Sequence, residues 1–236
     1  GLSVTRLIGA VALIVTTLWS PTNTTSNVNA KAEKTDRGAA PTATMWYVAT
    51  TGNDANACTS SGAACRTVGG AIGKAVSGDT IIISSGTFTE SNTINKSLTL
   101  IGNGAVNTVL DGNNATRVLV INPGVTLNLY SLTVQRGTAG PFANGGGLFN
   151  QGTLIISNTH ILNNYAGNFG SGIFNDNGIV RIYGSTLAGN TSRSAIGQWS
   201  GTITISNTTF TGNVGDAGGG ALEAYGGTVR LDHITV

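Results

Sequence analysis

The feature that most constrains the fold is a strand pattern that returns every 23 to 29 residues. SLTLIG (97–102), TLNLYS (126–131), TLIISN (153–158), IVRIYG (179–184), TITISN (202–207) and TVRLDH (228–233) each place two apolar residues on either side of a third position. The first apolar column is Leu98, Leu127, Leu154, Val180, Ile203 and Val229, and the second is Leu100, Leu129, Ile156, Ile182, Ile205 and Leu231. The register runs on. Val134, Ile161, Leu187, Phe210 and Val236 form another apolar column beside a polar one of Thr133, His160, Thr186, Thr209 and Thr235. Asn164, Asn190 and Asn213 then align at a turn, and GGGLFN (145–150), GSGIFN (170–175) and GGGALEAY (218–225) close successive units, with AIGQW (195–199) as a degenerate version.

A period of this length fits one coil of a solenoid built from three short strands, at about 3.3 Å per residue plus turns. Each coil pairs its backbone with the coils on either side, and inward side chains stack on their counterparts to fill a narrow aliphatic core. Right-handed coiling is the default for parallel crossovers. The expectation is an all-β, right-handed, three-sided parallel β-helix. A leucine-rich repeat has a similar period but needs a different consensus frame and more helix. Glycine and asparagine suit the corners, where positive φ is required, and stacked asparagines can hydrogen-bond from coil to coil.

Composition agrees. Only 9% of the 236 residues are charged, against about 25% in ordinary globular chains. The net charge of +2 arises in the first 44 residues, and the rest carries eight basic and eight acidic groups. A neutral body lacks the basic footprint of a nucleic-acid binder.

Arg6 followed by LIGAVALIVTTLW (7–19) has the form of an export signal, too short for an easy membrane span, with Ala30-Lys31-Ala32 as a cleavage pattern. Residues 1–32 are read as a signal peptide or uncleaved N-terminal anchor, 33–45 as a linker and 46–236 as the β-helix domain. The chain stops inside a coil, so the domain is expected to be C-terminally truncated, with further coils or a surface anchor beyond it. Cys58 and Cys65 suit a local disulfide in an exported chain, with two free thiols as the alternative. In CRTVGGAIGKAVSG (65–78), Val68, Ala71, Ile72, Ala75 and Val76 fall at helical spacing, so a short helix is expected to cap the first coil, with Gly78 to stop it.

The stretch from Tyr47 to Glu90, with its paired cysteines, small helix, GDTI and GTF, followed by SLTLIGNG and the Gly/Asn coils, resembles exported bacterial right-handed parallel β-helix repeat proteins of the pectate-lyase-like superfamily. The likeness covers roughly residues 46–236. It implies a secreted or cell-surface location and leaves activity open, since relatives include lyases, hydrolases, adhesins and surface passengers.

Chemistry is harder to find. Glycoside hydrolysis needs two carboxyls about 5–9.5 Å apart, and lyase chemistry an Arg or Lys base with carboxylates to hold Ca²⁺. Acids stacked on adjacent coils would satisfy either. Asp54, Asp79, Glu90, Asp111, Asp176, Asp216, Glu223 and Asp232 form no such column and read as solvated turn residues. The resemblance makes Asp232-His233 a weak catalytic candidate, because an Asp-His pair on a β-helix strand is similar to a stretch of pectate lyases, but the pair stands where other coils have Ser-Asn. Arg181 and Arg230 share an outward column with Thr204 between them and are the weak candidates for a lyase base; Arg136 also reads as outward, and His160 as exposed.

Phe149, Phe174, Trp199 and Tyr225 recur late in four successive coils. Facing outward they would offer a ladder for sugar rings; facing inward they are core. From the fold resemblance and the missing acid column, the expected role is a non-catalytic extracellular or cell-surface scaffold, adhesin-like, contacting a polysaccharide or host glycan, with no cofactor, no resident metal and no nucleic-acid partner. Membrane attachment would come only through the N-terminal segment or a C-terminal anchor. The alternative is a polysaccharide lyase or glycoside hydrolase on an acidic polysaccharide, and only the lyase reading calls for Ca²⁺.

Overall fold

The computed structural model describes residues 42–215 and 219–236. The expected signal peptide or anchor, most of the linker and Asp216 lie outside the described residues. What is described is an all-β parallel solenoid of about six turns with one α-helix, Val68–Lys74. Every strand pairing in it is parallel, and successive partners lie one coil apart in sequence.

Three stacks make up the large sheet. The first joins Thr80–Ile83, Leu98–Gly102, Thr126–Tyr130, Thr153–Ser157 and the corresponding parts of Ile173–Tyr183, Ile196–Thr211 and Thr228–Thr235. Its pairings superimpose Leu100, Leu129, Ile156, Ile182 and Ile205, all fully buried. Burying each such side chain contributes roughly 1.5–3 kcal/mol, and repetition of one small choice builds the core. The second stack runs through Thr108–Asp111, Thr133–Gln135, His160–Leu162 and Thr186–Ala188, with Val134, Ile161 and Leu187 inward. The third joins Asn92–Ile94, Leu119–Ile121, Leu148–Asn150, the start of Ile173–Tyr183, the start of Ile196–Thr211 and Leu222–Ala224. The columns of the repeat are thus true neighbours.

The later coils depart from the three-strand unit. Thr138–Pro141, Tyr165–Gly167, Thr191–Ser192 and Val214–Gly215 form a separate four-stranded parallel sheet between the second and third stacks. Its strands are two to four residues long and lack an apolar alternation, so a search for apolar–x–apolar segments passes over them.

Glycines of GGGLFN serve two different needs. Gly145 has φ +69°, a conformation that side chains resist. Gly146 is required by close approach, because a Cβ there would overlap the carbonyl oxygen of Tyr165 on the next coil. A recurrent left-handed position follows the first stack at Ser131, Asn158, Gly184, Asn207 and His233.

The helix is shorter than the periodicity suggested, and Val76 lies beyond it, 58% exposed. Val68, Ala71 and Ile72 are buried against the first coil. The Thr67 hydroxyl accepts from the Gly70 amide, Glu90 accepts from the amides of Val68 and Gly69, and Lys96 donates to the carbonyls of Ile72 and Ala75. Both helix ends are therefore satisfied by side chains. Cys58 and Cys65 form a disulfide.

Two acids are not solvated turn residues, contrary to the sequence expectation. Asp111 is fully buried, accepting from Arg136 (Nη2 to Oδ2, 2.6 Å), Gln135 and the amide of Asn113. Arg136 is thereby committed to structure. Asp79 is 2% exposed and accepts from the Trp46 indole and the amides of Thr44 and Val76. Burial pushes both carboxyls up, but their hydrogen bonds, helped by the charge of Arg136 or Lys96, hold them below the usual carboxylate value. A depressed folded value stabilises the fold above the unfolded value of about 4, and that contribution is lost as pH falls through the folded one. Thermal melts should show constant stability from neutrality to about pH 5 and a fall below about pH 4. The Asp111→Asn variant should melt lower at pH 7 and show a shallower acid fall; a wild-type acid profile in that variant would contradict the assignment.

Candidate functional site

The third stack brings together the four aromatic candidates of the sequence. Leu148, Ile173 and Ile196 point into the core and are fully buried. Alternation turns the next residue outward and the one after it inward again. The outward column is Val120, Phe149, Phe174, Gly197 and Glu223. Beneath it Asn150, Asn175 and Gln198 are all fully buried and hydrogen-bond in series: Asn150 Nδ2 to Asn175 Oδ1 at 2.8 Å, Asn175 Nδ2 to Gln198 Oε1 at 3.0 Å, and Gln198 Nε2 to the Gly226 carbonyl at 2.7 Å. This amide ladder fixes the strands that carry the aromatics.

Phe149 and Phe174 stack with ring centroids 5.7 Å apart. Phe149 is half-buried, whereas Phe174 is only 3% exposed. The next coil has Gly197 at this place, and a Cβ there would press on the Phe174 ring at 3.0 Å. The same Cβ would come still closer to the Gly170 amide nitrogen, at 2.8 Å, so Gly197 leaves room for both that backbone and Phe174, which becomes a floor. Trp199 is the extra residue of a bulge: Asn175 pairs with Gln198 and Asp176 with Ser200, leaving Trp199 between them and 54% exposed. On the following coil Tyr225, 52% exposed, lies 5.5 Å from the Trp199 ring, tilted by 33°. Phe169 meets Tyr225 edge-on at 4.9 Å.

The polar surroundings are largely committed. The Arg117 guanidinium lies 5.1 Å from the Phe149 ring centre and donates to the carbonyls of Gly145 and Asn144; burial pushes its pKa down. Arg193 lies 4.5 Å over Phe169 and 3.8 Å from Glu223. Glu223 also accepts from the Tyr225 hydroxyl at 2.7 Å, which raises the tyrosine pKa. A cleft of about 360 Å³ is lined by Asn144, Phe149, Asn168, Phe174, Asp176 and Trp199. Asp176, the carboxyl among these, accepts from Gln151 and Asn177.

The other candidates lie elsewhere. Asp232 and His233 pair at 2.7 Å, with side chains 71% and 77% exposed. Asp232 pairs with Ser206, and His233 takes the recurrent left-handed position, φ +49°. Arg181 and Arg230 do flank Thr204 in one outward column of the first stack. His160 is half-buried rather than exposed, in register between Thr133 and Thr186. Among the described residues, no group of three or more His, Cys, Asp and Glu side chains is placed to hold a metal. Arg117, Phe169, Arg193 and the amides Asn144 and Asn168 were not legible as site residues. They sit in loops of unequal length, where the repeat keeps no column.

No protein-family model matches the chain, and no curated protein matches it. Among solved structures it is similar to a pectin methylesterase mutant in complex with a hexasaccharide, at 12% identity over 73% of this chain and 67% of that one, with a TM-score of 0.49. It is also similar to a rhamnogalacturonan lyase, at 13% identity over 80% and 62%, with a TM-score of 0.39. Likenesses this distant carry no weight for activity, and the fold stands on its own strand pairing. Among the described residues no helix is long and apolar enough to cross a membrane.

Proposed function

We propose that this chain is an extracellular or cell-surface scaffold, adhesin-like and non-catalytic, which holds a polysaccharide on the aromatic surface of its third strand stack. The observation that supports this reading is the pair of adjacent rings, Trp199 and Tyr225, each about half exposed beside a cleft edged with amides. Adjacent exposed rings rimmed by polar groups form an apolar patch of the kind that marks binding surfaces, and a sugar offers the matching chemistry, an apolar C–H face ringed by hydroxyls. Asn144 and Asn168 supply amides for those hydroxyls.

The enzymatic alternative draws on Asp176 in the cleft. Hydrolysis would need a second carboxyl facing it, and Glu223 is tied to Tyr225 and Arg193. The test is affinity electrophoresis on a panel of polysaccharides, with product release assayed on the same panel. Wild-type protein should be retarded by at least one polysaccharide without depolymerising it. Trp199→Ala should lose about tenfold in affinity, the equivalent of about 1.4 kcal/mol. Equal retardation of the variant, or release of fragments by the wild type, would overturn the proposal.

A further inference from the structure

We infer, building on the glycan-binding reading above, that the polysaccharide held at Trp199 is uncharged: a neutral hexopyranose chain lying along the solenoid axis rather than a uronic-acid polymer. Charge at the cleft favours a neutral ligand. Asp176 is the charged side chain that lines the cleft, and Glu223 is the charged group bonded to Tyr225. Glu223 is offset by Arg193 at 3.8 Å, but among the described residues Asp176 makes no salt bridge, so a polyanion docking in the cleft would meet its carboxylate, and like-charge juxtaposition opposes binding.

The cations point the same way. Recognition of a uronate calls for an Arg or Lys with free donors, in a two-pronged geometry if Arg. Arg117 has already spent Nε and Nη2 on the Gly145 and Asn144 carbonyls, and its flat face on Phe149. Arg193 has its face on Phe169 and an Nη2 directed at Glu223. The Arg117 guanidinium holds the loop beside Phe149, and the Arg193 guanidinium sits between the Phe169 ring and Glu223. The remaining polar groups of the cleft are neutral: the Asn168 amide and the Asn144 Nδ2 suit sugar hydroxyls, while Asn144 Oδ1 already accepts from the Phe169 amide at 3.0 Å.

The direction of the surface fits as well. Trp199 and Tyr225 belong to successive coils, with Phe149 and Phe174 on the two coils before Trp199. The ring surface therefore runs from coil to coil, a step of about 4.8 Å, and across the strands. A linear chain whose sugars present flat, equatorially substituted faces fits such a surface.

The experiment uses the full chain and four solid polymers in parallel: cellulose and chitin as neutral probes, and cross-linked polygalacturonate and alginate as acidic ones. Retention is measured at 50 and 500 mM NaCl for wild type, Trp199→Ala, Trp199→Phe and, as a control outside the surface, Arg181→Ala. Retention on a neutral probe is expected to exceed that on either acidic one at least tenfold and to change less than twofold with salt. Trp199→Ala should lose it at least tenfold, Trp199→Phe should keep part of it and so show that the fold survives, and Arg181→Ala should match wild type. Trp199-dependent retention on the acidic polymers that equals or exceeds the neutral ones would overturn this inference while leaving the glycan-binding reading intact. Retention on none of the four would overturn both.

Discussion

Asn175→Ala is expected to destabilise the protein by about 3–5 kcal/mol, more than any surface substitution, although it removes no aliphatic packing. Asn175 is fully buried and accepts from Asn150 while donating to Gln198 Oε1 at 3.0 Å and to the Gly178 carbonyl at 3.0 Å. Alanine would leave the Gln198 acceptor and the Gly178 carbonyl without these donors, and each buried polar group so orphaned costs about 1–3 kcal/mol. In a domain of this size the melting temperature should fall by about 10 °C. Because each coil contacts only its neighbours, the loss should open the third stack locally before the whole solenoid melts. Hydrogen exchange would show this as faster exchange at Ile173–Asn175 and Ile196–Gln198. Asn177→Gly is the matched control: Asn177 is exposed and already at φ +61°, so stability should stay within about 1 kcal/mol of wild type. A wild-type melting temperature for Asn175→Ala would mean that the ladder contributes nothing.

Gly146→Ala should be worse tolerated than its single added methyl suggests. The new Cβ would overlap the Tyr165 carbonyl and lie 2.8 Å from the Ser171 oxygen. Neither can move easily, since Ser171 O accepts from the Gly147 amide and the Tyr165 amide is bonded to the Gly137 carbonyl. Backbone of the adjacent coil would have to shift, at a cost of about 3 kcal/mol or more. Gly140→Ala makes the same chemical change with an opposite outcome. A Cβ at Gly140 meets nothing within 4 Å, and its φ is ordinary, so it should be neutral or stabilise by a few tenths of a kcal/mol through the unfolded chain. Chemical denaturation of the two variants side by side checks this; equal stabilities would contradict the close-approach account.

Much of the fold was legible because a solenoid writes one spatial column as one sequence column. Leu129, Ile156 and Ile182 could be superimposed from the repeat alone, and so could Thr133 with His160 and Thr186. Asn164 and Asn190, aligned by the repeat, do hydrogen-bond, Nδ2 to Oδ1 at 3.0 Å. What failed was anything set by a partner one coil away in a turn of variable length. Asp111 looked solvated because Arg136, which completes its site, was itself read as an outward cation. The second ladder of Asn150, Asn175 and Gln198 was hidden inside motifs noticed for their glycines. The aromatics were found as a set, but their exposures were not, because Gly197 and the bulge at Trp199 offset two coils that look aligned. Phe174 sits within the paired register, whereas Trp199 is the extra residue of the bulge.

Trp199 is proposed to touch a glycan. The most direct measurement is the indole N–H resonance of Trp199 in an NMR titration with a soluble neutral oligosaccharide. Trp46 serves as internal reference, because its indole is held on Asp79 at 2.8 Å on the first coil. A saturable shift of the Trp199 signal is expected, with the Trp46 signal unmoved. Binding that leaves the Trp199 resonance in place, or shifts Trp46 instead, would contradict it.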